Sequence, residues 1–200
     1  MAGKIDDRPN LILFGDSITV GEYVSPHQTW AVMLSASVAE RYPHWRTIIA
    51  ARNGDTTRQA LERMPFDVQR YERIDLLVIQ FGHNDANRWD SDPGCPRVPV
   101  YGYRANLDEI VDRGRLLGAR ELLIPPHEVD RPQLKTSLDM YRWGCVASFA
   151  KGDRFVLPLI DPHLHLIDGL HLNEEGHRVY HDAICPRVLE IIKRLECSTS

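Results

Sequence analysis

The sequence predicts an α/β fold in which helices cover both faces of a five-stranded parallel sheet. Short apolar runs alternate with longer segments of helical period, which is typical of crossover units that feed a parallel sheet. Unusual polar residues follow the ends of these apolar runs, where open parallel sheets bind their ligands. A length of 200 residues suits one domain with a sizeable core. We therefore treat residues 1–200 as a single domain.

Five segments have the composition of buried parallel strands, because each is apolar or β-branched and is bounded by polar or turn residues. The predicted strands are Leu11–Phe14, Thr47–Ala50, Leu76–Phe81, Glu121–Ile124 and Phe155–Ile160. If they follow the common order 2-1-3-4-5, the second and third strands flank the first. The fifth strand then lies three strand spacings, or roughly 14 Å, from the first.

Amphipathic segments separate the strands and close the chain. The predicted helices are Thr29–Arg41, Thr56–Met64, Ala105–Leu117, Gln133–Ala150 and Asn173–Leu195. Asp55 and Thr56 form a candidate N-cap, while Glu174 and Glu175 place negative charge where the helix dipole favours it. Pro186 should kink or split the last helix, because proline cannot donate the helical hydrogen bond.

Two segments that follow strands are candidates for the rim of a binding site. The segment 86–100 carries three prolines and a glycine, and loops of this length are uncommon unless they are functional. A decorative insertion is the alternative. Trp89, Tyr101 and Tyr103 border this loop and could stack on a ligand or serve as packing anchors. The segment Pro125–Arg131 follows the fourth strand and can line the same crevice.

Charge and hydropathy argue against two kinds of partner. The net charge is -4 and the basic residues are scattered, so we expect no nucleic acid partner. No apolar run is long enough to span a bilayer. The opening MAGKIDDRPN leads directly into LILFGDS without a hydrophobic signal region, so we expect a cytoplasmic location.

Neither the cysteines nor the histidines have the spacing of a complete metal site. The cysteines form no CxxC pair, so reduced thiols are expected, with a disulfide as the alternative. His177 and His181 have the i, i+4 spacing of a helical metal pair, but no third ligand is suitably placed. We therefore expect no metal and no cofactor.

Polar residues that can carry chemistry cluster at one predicted edge of the sheet. Ser17 follows the first strand, Gly54 the second, Asn84 the third, and Asp168 and His171 the fifth. All lie beyond the carboxyl ends of strands, where ligands bind in open parallel sheets. The connection before the last helix is long enough to double back over the top of the sheet.

Ser17, His171 and Asp168 have the roles that nucleophilic catalysis needs. A serine hydroxyl is a weak nucleophile until a base removes its proton, and a neutral imidazole held by a carboxylate suits that task. His171 is the candidate base, and Asp168 orients it across a turn that Gly169 permits. The alternatives are a helix-capping serine and a surface histidine.

Three candidate donors could stabilise an oxyanion: the backbone N–H groups of Ser17 and Gly54 and the side-chain amide of Asn84. Asn84 could instead form a turn, and Gly54 could serve backbone geometry alone. Asp16 is adjacent to Ser17, and we favour its organising the turn over a part in proton transfer.

Four sequence blocks resemble those of the GDSL, or SGNH, hydrolases. They are Phe14–Thr19, Asn53–Thr57, Gly82–Asp85 and Asp168–His171, in the family's order. The resemblance covers the chain from Leu11 to about Leu195. It implies a flavodoxin-like three-layer α/β/α fold and metal-independent ester hydrolysis through an acyl-serine, with the roles assigned above. Asn53 is a mild departure, because many members carry serine or another small residue there.

The sequence thus predicts a serine esterase that removes a small or medium acyl group, acetyl included, from a sugar or another small molecule. Asp16, His83 and Trp89 are the candidate substrate contacts. A lysophospholipase or thioesterase would use the same machinery, as would an acyltransferase in which an alcohol replaces water. A domain that only binds its ligand is the remaining alternative.

Overall fold

A computed structural model describes residues 7–89, 91, 94–148, 155, 157–158 and 160–198. Within them, one parallel sheet has the order β2-β1-β3-β4. Its strands are β1 (Asn10–Gly15), β2 (Arg46–Ala51), β3 (Leu76–Gln80) and β4 (Arg120–Ile124). The order predicted for the first four strands is therefore confirmed.

The described helices lie between the strands and after them, as the sequence predicts. They are α1 (Ser17–Val20), α2 (Trp30–Arg41), α3 (Thr57–Asp67), α4 (His83–Ala86), α5 (Val100–Leu116), α6 (Pro132–Ser148) and α7 (Glu174–Ser198). Short 3₁₀ turns occur at Pro26–Gln28 and Pro162–Leu164. The helix α5 begins earlier than predicted, at Val100 rather than Ala105, directly after Pro99.

The sheet separates two hydrophobic clusters, which makes the fold a three-layer α/β/α arrangement. Successive side chains of β1 point to opposite faces, so Ile12 and Phe14 join one cluster while Leu11 and Leu13 join the other. Buried residues of α3, α5 and α6 complete the first cluster. Those of α2 and α7 complete the second. The α/β fold class predicted from the sequence is confirmed.

The predicted fifth strand is the main difference. Phe155, Leu157 and Ile160 are buried in the cluster that α2 and α7 cover, but the structure assigns them no strand. Pro158 has no N–H to donate to a ladder, and apolar packing buries Phe155, Leu157 and Ile160 without one. The sheet thus has four described strands rather than five. Residues 156 and 159 of the predicted strand lie outside the described residues.

Local sequence signals set the helix ends. Thr56 caps α3 in a capping box, in which Gln59 reaches back to the Thr56 N–H. Asn173 precedes α7 and accepts a hydrogen bond from the Gly176 N–H at 2.9 Å. The helix α7 runs without a break past Pro186, so the proline does not split it, and the alternative of a kink stays a prediction. Buried side chains on both sides of the proline hold the helix together.

The register of the sheet brings the carboxyl ends of three strands together. Gly15, at the end of β1, pairs with Ala51 of β2 and with Gln80 of β3. The residues that follow these strands therefore meet at one edge. In the described part of the chain, no helix is both long enough and apolar enough to cross a bilayer.

Candidate active site

The turn after β1 places Ser17 at the start of α1. Asp16 caps this helix, because its Oδ1 accepts a hydrogen bond from the Ile18 N–H at 3.0 Å. Gly15 has no room for a side chain, since a Cβ there would lie 2.1 Å from Thr19 Oγ1. The tight packing of strand against helix thus fixes the position of the serine.

A second turn, before α7, carries Asp168 and His171. Asp168 Oδ1 accepts hydrogen bonds from the N–H groups of Leu170 and His171, both at 3.0 Å. Gly169 has a φ of 64°, and a Cβ there would lie 2.5 Å from the carbonyl oxygen of Asp130. The turn is therefore held closely against the loop that follows β4.

The two turns bring the three predicted catalytic side chains into hydrogen-bond contact. His171 Nε2 lies 2.9 Å from Ser17 Oγ, and His171 Nδ1 lies 2.6 Å from Asp168 Oδ2. Because a carboxylate only accepts hydrogen bonds, the imidazole proton belongs on Nδ1, and Nε2 is left to accept the serine proton. The arrangement is that of an activated nucleophile.

The environment of Asp168 keeps the carboxyl ionised. Partial burial acts to raise its pKa, but the hydrogen bonds from His171 and from the Leu170 and His171 N–H groups outweigh it, so the pKa is lowered overall. Arg131 also donates from Nε to the Asp168 carbonyl and lies 3.3 Å from its Oδ2. Sequence reasoning placed the segment Pro125–Arg131 near the crevice but gave Arg131 no role.

Asn84 lies in the short helix α4 after β3 and contacts residues that follow β1 and β2. Its Nδ2 donates to the Asp55 carbonyl at 3.0 Å and faces Asp16 Oδ2 at 3.4 Å. To bind an oxyanion, the amide must release the longer of these contacts. Among the backbone hydrogen bonds of turns and loops in the described chain, none uses the N–H of Ser17 or Gly54. All three oxyanion donors stay predictions.

The loop 86–100 reaches this edge through Arg97, which sequence reasoning did not single out. Arg97 Nη1 donates to Asn84 Oδ1 at 3.4 Å, and its Nη2 donates to Gln59 at 3.3 Å. Its guanidinium carbon also lies 4.5 Å from the centre of the Trp89 ring. Trp89 is exposed, and its contact with substrate stays a prediction. Residues 90, 92 and 93 of this loop lie outside the described residues.

Two of the predicted substrate contacts, Asp16 and His83, have buried side chains, and their contact with substrate stays a prediction. Asp16 has no exposed surface, and burial raises its pKa to about 8. His83 is 2% exposed; its Nε2 lies 3.1 Å from the His127 carbonyl, and burial lowers its pKa to about 3. Both side chains therefore lie beneath the surface of the site.

His177 and His181 have partners other than a metal. His177 Nδ1 accepts a hydrogen bond from the Trp30 N–H at 3.3 Å, and His181 lies between Ser37 and Asp182. Among the described residues, no group of three or more His, Cys, Asp and Glu side chains could hold a metal ion.

Known proteins share both the sequence pattern and the fold. Esterase TesA from Pseudomonas aeruginosa is 29% identical over 114 residues, which are 57% of this chain and 52% of that protein. The chain thus spans about half the length of this relative. GDSL esterase/lipase WDL1 from Oryza sativa subsp. japonica is 25% identical over 215 residues, which cover 94% of this chain and 79% of that protein.

Among solved structures, a lipase/acylhydrolase from Enterococcus faecalis matches with a TM-score of 0.72 and 26% identity, covering 90% of this chain and 95% of that one. A family model described as the GDSL-like Lipase/Acylhydrolase family matches residues 13–179. These residues are most of the chain and include the Ser17 and His171 turns. The chain therefore belongs to the GDSL-like lipase/acylhydrolase family.

Proposed function

We infer that this protein is a carboxylic-ester hydrolase that acts through an acyl-serine intermediate. The observation that carries the proposal is the continuous hydrogen-bonded chain from Ser17 Oγ through His171 to Asp168, with distances of 2.9 and 2.6 Å. The serine Oγ is placed to attack a carbonyl while its proton passes to Nε2. Membership of a lipase/acylhydrolase family supports the same reaction.

The reaction has two halves that use the same three side chains. In the first, Ser17 Oγ bonds to the carbonyl carbon and His171 Nε2 takes the serine proton. The C–O bond to the alcohol then breaks, and His171 returns the proton to the leaving oxygen. In the second half, water attacks the acyl-serine and loses a proton to His171, which returns it to Ser17. The products are an alcohol and a carboxylic acid.

The oxyanion formed in each half needs fixed donors. The N–H groups of Ser17 and Gly54 and the amide of Asn84 would supply them. Gly54 has a φ of 78° and nothing within 4 Å of the Cβ position, which leaves its backbone accessible to the substrate.

The favoured substrate is an ester with a small or medium acyl group, acetyl included, on a sugar or another small molecule. The described side chains that approach Asn84 and Asp168 include the charged residues Arg97 and Arg131. A long acyl chain needs an extended apolar groove, which charged side chains of this kind do not provide.

Release of p-nitrophenol from acetyl through octanoyl esters tests this proposal. Ser17→Ala and His171→Ala should each lower kcat/KM by at least about a thousandfold, because the triad acts as a unit. Ser35→Ala in α2 and His44→Ala, just before the amino end of β2 and so away from the carboxyl edge of the sheet, are matched controls and should keep the wild-type rate. The rate should fall as the acyl chain lengthens. An inert wild type, or a Ser17→Ala variant that keeps its rate, would contradict the proposal.

A further inference from the structure

The turn that follows the nucleophile helix faces the base of the triad. The helix α1 ends at Val20 and is capped by Gly21, which has a φ of 75°. The N–H groups of Gly21 and Glu22 both donate to the Ser17 carbonyl, at 2.9 and 3.2 Å. The Val24 N–H then donates to the Gly21 carbonyl at 3.2 Å. Because these bonds tie the turn to the serine itself, the backbone of Glu22 and Tyr23 has a fixed relation to Ser17.

Tyr23 is held in a conformation that aromatic residues rarely adopt. Its φ is 70°, and no other non-glycine residue in the described chain has a positive φ. Strained positions of this kind cluster at functional sites, where the surrounding structure holds them in place. Tyr23 is 74% exposed, and its ring meets the His171 ring edge-on, with 5.4 Å between the ring centres. Most of the aromatic surface is therefore free to contact a ligand.

Glu22 brings a second carboxylate to the base, on the side away from Asp168. Its Oε2 lies 3.5 Å from His171 Nε2, the atom that exchanges the proton with Ser17. Its charge also raises the pKa of the neighbouring Tyr23 phenol, which is consistent with the two side chains facing the same space. Neither residue is needed for the proton relay between Ser17, His171 and Asp168.

This geometry identifies the side of the site that receives the alcohol. The proton on Nε2 must reach the leaving oxygen, so that oxygen lies within hydrogen-bond distance of Nε2 when the tetrahedral intermediate breaks down. A carboxylate 3.5 Å from the same nitrogen then lies beside the substituents of the leaving alcohol. Since a carboxylate only accepts hydrogen bonds and repels anions, it favours hydroxyl donors and disfavours acidic groups.

We propose that Glu22 and Tyr23 form the leaving-alcohol subsite and that it takes a neutral polyhydroxy alcohol of the sugar class. The carboxylate would accept a hydrogen bond from a hydroxyl, and the exposed ring would pack against the carbon face of the sugar. A cationic alcohol fits less well, because the imidazolium that forms at His171 would repel it while the tetrahedral intermediate breaks down. The proposal rests on the proposed ester hydrolysis and names its alcohol.

A matched series of acetate esters tests this subsite. The esters are 3-O-acetyl derivatives of methyl glucoside, methyl glucuronoside and methyl glucosaminide, together with cyclohexyl acetate, which has a ring but no hydroxyls. Hydrolysis of p-nitrophenyl acetate is the reference for the basic reaction. The variants are Glu22→Gln and Tyr23→Gly, in which glycine tolerates the positive φ and so protects the fold. Glu40→Gln, an exposed change on α2, is the control.

The wild type should hydrolyse the glucoside ester at least about tenfold better than cyclohexyl acetate, and the glucuronoside ester should be the poorest sugar substrate. Glu22→Gln should lower kcat/KM for the glucoside ester relative to p-nitrophenyl acetate. The same change should raise kcat/KM for the glucuronoside ester. Tyr23→Gly should lower kcat/KM for both the glucoside ester and the glucosaminide ester, relative to kcat/KM for p-nitrophenyl acetate. Glu40→Gln should match the wild type.

Two outcomes would overturn the subsite while leaving ester hydrolysis intact. In one, p-nitrophenyl acetate is hydrolysed but the sugar preference is absent, or neither variant changes it. In the other, the glucosaminide ester is the best substrate and Glu22→Gln abolishes that advantage, which would make the subsite one for cations. A folded wild type that is inert on every ester, including the reference, would overturn the proposed function together with the subsite.

Discussion

Arg131 holds the acid of the triad at two points. Its Nε donates to the Asp168 carbonyl, and its guanidinium lies 3.3 Å from Asp168 Oδ2. The first contact fixes the backbone of the turn and the second fixes the carboxylate that orients His171. Arg131 touches none of the reacting atoms in this arrangement, so it acts as a positioning residue.

Replacing Arg131 should therefore lower turnover more than substrate binding. We expect Arg131→Ala to reduce kcat for p-nitrophenyl acetate by about tenfold or more with a smaller change in KM, because small displacements of a catalytic group are costly. Arg131→Lys, which keeps the charge and one of the two contacts, should recover part of the rate. Arg113→Ala is the control, since Arg113 pairs with Glu109 on the exposed surface of α5. Equal rates for Arg131→Ala and Arg113→Ala would contradict this role.

Residues of this kind are difficult to find from sequence. Ser17, Asp168 and His171 stand out because they follow strand ends and suit one chemistry, and the structure does bring them together. Arg131 and Arg97 lie in irregular segments, where no periodic pattern shows which way a side chain faces. The burial of His83 is also hard to predict, because a helix as short as α4 shows no period that would tell which side chains are buried.

At the scale of elements, the turn that carries Asp168 and His171 depends on one glycine. Gly169 combines a positive φ of 64° with a close approach to the backbone of Asp130, whose N–H also donates to the Gly169 carbonyl at 2.8 Å. A side chain at this position meets both a conformational cost and a clash. Gly118, between α5 and β4, has a φ of 84° but open space around it.

These two glycines form a matched pair for measurement. Gly169→Ala should lower the free energy of unfolding by about 2 kcal/mol more than Gly118→Ala, because only the former adds overlap with a backbone oxygen to the cost of positive φ. Urea unfolding of both variants and the wild type gives the comparison. Gly169→Ala should also lose esterase activity, whereas Gly118→Ala should keep it. Equal losses of stability would show that the Asp130 contact is unimportant.

The elements themselves differ in how well the sequence predicts them. β1, β3 and β4 were found because buried parallel strands are nearly continuous apolar runs. α1 and α4 were missed because four residues are too few to show a helical period. The predicted strand Phe155–Ile160 shows the reverse error, since its buried residues Phe155, Leu157 and Ile160 pack in the core without joining a ladder.

Across the whole molecule, buried titratable groups couple stability to pH in two directions. Burial lowers the pKa of His83 to about 3 and that of His177 to about 4, below the ordinary 6.5. These histidines are neutral when folded and take up protons when unfolded, so below pH 6.5 they favour the unfolded state. Burial raises the pKa of Asp16 to about 8 and that of Asp85 to about 6. These carboxyls bind protons more readily when folded, so a fall in pH through this range favours the folded state.

Because these effects oppose one another, the prediction concerns a difference between proteins. Between pH 6.5 and about 4, the free energy of unfolding should fall less steeply in His177→Gln than in the wild type. The slopes should differ by up to about 1.4 kcal/mol per pH unit, the limit for one proton. Urea unfolding at several pH values measures this. His27→Gln, an exposed change, should reproduce the wild-type slope, and a His177→Gln slope equal to it would contradict the account.

The central claim is that Ser17 is a nucleophile activated by His171. Labelling with a fluorophosphonate tests it directly, because a nucleophilic serine displaces fluoride from phosphorus and keeps the phosphonyl group. Mass spectrometry of the digested protein should find one modified site, at Ser17, and His171→Ala should slow the labelling strongly. Labelling at another residue, or an unlabelled Ser17 in protein that hydrolyses p-nitrophenyl acetate, would contradict the account.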